Sequence, residues 1–170
     1  ADLDLVNPYF RTREARRLLA EYGIDLVIPS EKYLHADLPI LSPAVAGMIR
    51  NPADLTLIDA GGDDVGVTVL ASLADAFKDK TVRLLQVVNP YRPFMDTIDG
   101  CLEMKDKIER ASKIPVSGII GNPNLIEETT IDHIYEGTDF LKKLSEESGL
   151  PIVFIAAAKR FLGQIDREKV

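Results

Sequence analysis

The sequence predicts an α/β fold, a mostly parallel, doubly wound sheet in three layers. Strand-like and helix-periodic segments alternate along the whole chain. The strand-like runs, such as VRLLQVV and PIVFI, are continuously apolar rather than alternating, the pattern of strands covered on both faces. Three of them stop at Asn-Pro, where proline removes the N–H that a ladder needs.

Ala1–Val6 reads as a strand with acids at Asp2 and Asp4, stopped by Asn7–Pro8. Thr12–Tyr22 reads as a helix, because Ala15, Leu18, Leu19 and Tyr22 recur at helical spacing. Gly23 suits the residue after a helix, and Ile24–Ile28 is a short strand closed by Pro29. Residues 30–41 read as irregular. Ser42 caps a short helix with Pro43 at its first position, and Asn51–Pro52 breaks it. A strand ending in Asp59 comes next, then a helix over Val65–Lys78. Val82–Val88 is a strand ended by Asn89–Pro90, and Phe94–Lys113 is a long helix. Val116–Ile120 is a strand ended by Asn122–Pro123, Thr130–Ser148 is a helix closed by Gly149, and Pro151–Ile155 is the last strand. Ala156–Leu162 begins a final helix, and the charged tail from Asp166 frays.

The 170 residues suit one α/β domain, and 46% hydrophobic content excludes a disordered chain. A net charge of −7 argues against a general nucleic-acid binder. No apolar run approaches the ~20 residues of a membrane span. The single cysteine, Cys101, reads as a small core residue and forms no internal disulfide, so a reduced, cytoplasmic setting is expected. His35 and His133 have no partner at metal-ligand spacing and read as surface or structural histidines.

The stretch around which the rest is organised is LTLIDAGGDD, residues 55–64. It reads as a buried parallel strand that delivers the Asp59 carboxylate to the sheet's carboxyl end. Gly61 and Gly62 then let the backbone pass close to something there. Ligands of open α/β sheets bind at that rim, and a carboxylate so placed is where a nucleotide-bound Mg²⁺ is supported. The plainer reading is an acidic strand end, a glycine turn and an N-capped helix. In a parallel sheet the strands ending at Asn7, Asn89 and Asn122 share the rim with Asp4, Asp59, Gly61 and Gly62. Arg11, Arg13 and Arg92 lie close in sequence, and such convergence of polar groups marks a ligand site. Simple strand termination is the alternative for each Asn-Pro. Tyr9, Phe10 and Tyr91 either stack on a ligand or cover the sheet end.

ADLDLVNP, a strand ending in DAGG and a later strand ending in GN occur in the order that resembles the ParA/MinD group of P-loop ATPases. The resemblance runs from Ala1 to about Phe161. It implies a P-loop NTPase-like fold and Mg²⁺–ATP as ligand. Asp4 matches the carboxylate that orients the attacking water, with Asp2 as a supporting acid. Asp59 matches the Walker B acid that supports Mg²⁺, and Gly61 and Gly62 the switch near the γ-phosphate. Asn122 matches the residue that hydrogen-bonds the adenine edge, with Ala156–Ala158 flanking the base. Asn89 and Arg11 join the candidates for nucleotide contact. The 170 residues contain no GxxxxGK(S/T), so the lysine and backbone nest that hold phosphates are absent from them. The expectation is that a strand, P-loop and helix precede Ala1; the alternative is a degenerate domain that lost nucleotide binding.

The expected function is an ATP-binding conformational switch or weak ATPase that works with a protein partner or as a homodimer. The alternative is a non-catalytic interaction or regulatory subunit on the same fold. An acid–base enzyme using Asp4 and Asp59, with Arg11 and Arg92 as clamps, ranks last because no nucleophile or histidine partner is recognisable.

Overall fold

The computed structural model describes residues 1–3, 12–28 and 43–166. It divides into two compact units, Ala1–Val82 with Arg110–Lys113, and Arg83–Glu109 with Ile114–Val170. The described residues form an α/β structure with six α-helices and a three-stranded parallel sheet. None of their helices is long and apolar enough to cross a membrane. Asp4, the Asn7–Pro8 turn, Tyr9, Phe10, Arg11, the irregular segment 30–41 with His35, and the Ser42 cap lie outside the described residues, as does the tail beyond Asp166.

In the first unit, a 3₁₀ turn over Thr12–Ala15 leads into α1 (Arg16–Glu21). Gly23 follows at φ +70°, a left-handed turn that an L side chain rarely adopts. The backbone of residues 1–3 is hydrogen-bonded to Val27 and to Asp59, and the strand expected over Ile24–Ile28 is not formed. Asp2 N–H donates to Val27 O (3.0 Å), Leu3 N–H to Asp59 O (2.7 Å), and Asp59 N–H to Ala1 O (2.8 Å). The pairing with Asp59 is a single parallel bridge, shorter than the expected strand ladder, and Leu55 and Leu57 stay exposed. α2 (Pro43–Arg50) buries Val45 and Ile49, one turn apart, and stops at Asn51–Pro52. The helix expected over 65–78 divides at Leu73 into α3 (Asp64–Ser72) and α4 (Ala74–Phe77). Val67, Val69, Leu70, Leu73 and Ala76 are buried.

In the second unit, β1 (Leu84–Val88), β2 (Val116–Gly121) and β3 (Ile152–Ile155) pair in that order, all parallel. α5 (Ile98–Ser112) and α6 (Ile131–Ser148) connect them, as the alternation predicts. Cys101 of α5 and Leu141 and Leu144 of α6 pack with Val88 and Ile119 in one core. Gly121 admits α6 closely, since a Cβ there would come within 2.3 Å of Leu141 Cδ1. Thr130 caps α6 and Gly149, at φ +69°, ends it. The continuous apolarity of the strands predicts cover on both sheet faces, yet Val87 is 57% and Phe154 53% exposed. Val87 alternates with Val88, so it points away from the face on which Cys101, Leu141 and Leu144 pack. The helix expected from Ala156 is a single 3₁₀ turn, Lys159–Phe161.

Candidate functional site

The first unit holds an acidic cluster of candidate residues. Asp59 follows an apolar strand run, so its backbone is tied to Ala1 and Leu3 while its side chain is exposed. The Thr12 hydroxyl donates to Asp59 Oδ2. Thr12 carries no motif signal, and only the fold brings it to Asp59. Asp2 sits directly across the parallel bridge and is buried. Past Ala60 the chain makes the glycine turn. Gly61 is buried against the first turn of α3, where a Cβ on Gly66 would come within 2.5 Å of Gly61 Cα. Gly62 is exposed, with open space where a Cβ would be. Asp63 caps α3, its Oδ1 accepting from Gly66 N–H (2.7 Å). The glycine turn and N-capped helix are therefore present, and Gly61 has a packing role in them.

A bound Mg²⁺ takes oxygen ligands, keeps several waters and needs only one or two carboxylates beside the substrate phosphates. The exposed Asp59 carboxylate next to the Thr12 hydroxyl is an oxygen set that fits such an ion. The described residues contain no group of three or more His, Cys, Asp or Glu able to hold a metal by themselves. Asp4 and Arg11, expected beside Asp59, lie outside the described residues.

The second unit holds a carboxamide rim. Its three parallel strands end side by side, so Asn89, Asn122 and Ala156 leave the sheet at one edge. Asn89 is spent on structure. Its Nδ2 donates to Asn124 O (2.8 Å), and its Oδ1 accepts from Tyr91 N–H (3.1 Å) and Asn124 N–H (3.3 Å). It thus joins the loop after β1 to the loop after β2. Asn124 holds the next turn, accepting at Oδ1 from Ile126 N–H (2.7 Å) and the Thr129 hydroxyl (2.9 Å). Asn122 differs. Its N–H donates to Val88 O (2.8 Å), while its carboxamide makes no hydrogen bond among the described residues and is open to solvent.

Tyr91 covers the rim, with its hydroxyl donating to His133 O (2.7 Å) and its ring edge-on to the His133 ring. Burial, helped by the negative charge of Glu136, raises its phenol above the ordinary range. His133 closes a capping box, its Nδ1 accepting from Thr130 N–H (3.1 Å), so it is structural. Arg92 is exposed. Arg160, which carries no motif signal, fastens the loop after β3 to the loop after β2. Cys101 lies in the core, and burial pushes its thiol up to about 11 with help from Asp96.

No protein-family model, no curated protein and no solved structure matches the chain.

Proposed function

We propose that this chain belongs to an ATP-binding protein type like ParA/MinD, a Mg²⁺–ATP-dependent conformational switch or weak ATPase on a doubly wound, three-layer, P-loop NTPase-like fold. The observation that carries the reading is the parallel bridge between Asp2 and Asp59. It sets the strand that opens the D-x-D motif directly beside the strand that ends in the candidate metal acid. Asp59, with the Thr12 hydroxyl against it, is the group that holds Mg²⁺ in this proposal. The ion supplies charge neutralisation on the phosphates when bound. Asp4 orients water, Gly61 and Gly62 form the responsive turn, and Asn122 offers its donor and acceptor to the adenine edge. Asn89 acts by joining two rim loops rather than by touching nucleotide.

A non-catalytic interaction module is the second reading. It is favoured by the exposed apolar face of the second unit, where Val87 and Phe154 lie open. A homodimer or a protein partner accommodates either reading.

Mg²⁺-dependent ATP binding, measured by calorimetry, separates the two. Binding that Asp59→Ala and Asn122→Ala each weaken supports the ATPase reading. Absence of binding sinks it and leaves the interaction module.

A further inference from the structure

We infer that His133 makes the join between the loop after β1 and the first turn of α6 a pH-sensitive latch, closed while the imidazole is neutral and released when it takes up a proton. The inference concerns the cover of the rim and stands apart from the nucleotide reading.

A capping box ordinarily pairs a Ser or Thr with a Glu or Gln three residues later. A carboxamide does not titrate, and a carboxylate remains an acceptor until well below neutral pH. α6 has Thr130 and His133 in these two positions. The returning acceptor is thus an imidazole, the side chain whose ordinary charge change lies between about pH 5 and pH 8.

Thr130 Oγ1 accepts from His133 N–H (3.3 Å), and His133 Nδ1 accepts from Thr130 N–H (3.1 Å). A backbone N–H can only donate, so Nδ1 is the bare nitrogen and Nε2 carries the ring proton. An imidazolium has hydrogen on both nitrogens. Protonation therefore sets N–H against N–H and cancels the bond from Thr130 N–H. It also reverses the contact between Nδ1 and Thr130 Oγ1 (3.1 Å), since only the oxygen can then accept. The added positive charge stands in the first turn of an 18-residue helix, where the backbone already presents the positive ends of its dipoles.

The same residue holds Tyr91. The Tyr91 hydroxyl donates to His133 O (2.7 Å), and the two rings meet edge-on with their centroids 5.2 Å apart. Tyr91 N–H is tied in turn to Asn89 Oδ1 (3.1 Å). The ring and the carbonyl of one histidine thus join the loop after β1 to the start of α6. A ring that leaves the box loses its contact with Tyr91, and a frayed first turn takes the carbonyl away from the Tyr91 hydroxyl. The charged side chains near this turn are Asp132 and Glu136 of α6, Glu127 and Glu128 of the preceding turn, and Arg92 beside Tyr91. Glu127 pairs with Arg160, and the charge of Glu136 acts on the Tyr91 phenol. β2 and β3, against which α6 packs, carry no charged side chain.

An NMR titration of the chain from about pH 8 to about pH 5 tests the latch, with the His133 ring, the Tyr91 ring and the backbone amides followed together. The Thr130 amide and the Tyr91 ring are expected to shift with the same midpoint as the His133 ring. Amide exchange at the start of α6, corrected for its intrinsic pH dependence, should become roughly fivefold faster, the effect of losing one cap. His35→Gln removes the other imidazole of the chain and should keep the transition. His133→Gln keeps an acceptor that does not titrate, so it should hold the latch closed at every pH and show no transition. A circular dichroism spectrum of each variant checks that it folds, and the parent titration decides by itself if His133→Gln does not. Titration of the His133 ring that leaves the Thr130 amide and the Tyr91 ring unmoved overturns the inference. So does a transition that survives in His133→Gln.

Discussion

Replacing Gly66 with alanine should destabilise the first unit, although alanine is the better helix former. Gly66 is the third residue of α3. A Cβ there would lie 2.5 Å from Gly61 Cα, 2.9 Å from Gly61 C and 3.1 Å from Asp63 Oδ1. Two of these are backbone atoms that cannot rotate away. The third belongs to the helix cap, whose bond to Gly66 N–H is 2.7 Å. Forcing an extra methyl group into packed surroundings costs ~1–3 kcal/mol, and disturbing a cap adds up to ~1 kcal/mol. The propensity gain of alanine over glycine is at most ~1 kcal/mol, less near a helix end. The clash wins, for a net loss of about 1–3 kcal/mol.

Gly47, inside α2, is the internal control, because nothing lies within 4 Å of its Cβ position. Gly47→Ala should gain ~0.5–1 kcal/mol. Urea unfolding followed by far-ultraviolet circular dichroism measures both, with the midpoint and the slope compared separately because the chain has two compact units. The two substitutions are expected to move the midpoint in opposite directions. A Gly66→Ala midpoint at or above that of Gly47→Ala would refute the reasoning, since the close approach of Gly61 to α3 would then cost nothing to lose.

Asn89→Ala should cost about 1–3 kcal/mol in a thermal melt, because it strands two N–H groups and a carbonyl on the rim. Asn89→Asp keeps the acceptors but turns a carboxylate toward Asn124 O; its deficit at neutral pH should shrink below pH ~4, where protonation restores a donor. Glu109 bonds Lys105 Nζ (2.9 Å) and Val116 N–H (2.8 Å), joining α5 to the start of β2, so Glu109→Ala should lower the unfolding midpoint by ~1–3 kcal/mol equivalent. The same carboxylate holds the Lys105 ammonium above its ordinary range. That stabilisation is complete below the ordinary lysine range and fades as alkaline pH passes the raised value, and Glu109→Gln should flatten that part of a stability-versus-pH curve. The Cys101 thiol, raised to about 11, should react with a disulfide reagent at pH 8 roughly a hundredfold more slowly than in the urea-unfolded chain. Because its fold favours the neutral thiol, stability should also fall as pH rises from the ordinary thiol range toward 11.

Much of the second unit was legible in the sequence. The helix-periodic segments between apolar runs became α5 and α6, and Val82–Val88, Val116–Ile120 and Pro151–Ile155 became strands within two residues of their expected ends. Thr130 and Gly149 bound α6 as their residue types require. The first unit was less legible. Leu55, Leu57 and Ile58 read as a buried strand, but a strand needs neighbours to pair with, and among the described residues its backbone pairs with Ala1, Asp2 and Leu3 through a single bridge. Helix 65–78 divides at Leu73, where the apolar pattern carries no break signal. Among the candidate residues, Asp59, Gly61 and Gly62 of the first unit and Asn122 of the second were identifiable from strand ends and turn chemistry. Thr12 and Arg160 were not, because each acts on a residue more than thirty positions away.

The sequence by itself determined the α/β alternation, the strand ends and the residues that cap and terminate helices. Those properties depend on neighbours a few positions apart, through hydrophobic period and backbone preference. Only the tertiary structure decided how the two similar-looking asparagine turns after Val88 and Gly121 divide their work. Asn89 is consumed in bonds to Tyr91 and Asn124, while Asn122, with the same following proline, keeps its carboxamide open. The two dipeptides are locally alike. What distinguishes them is which loop the parallel register places within hydrogen-bond reach, and that is a property of the folded sheet.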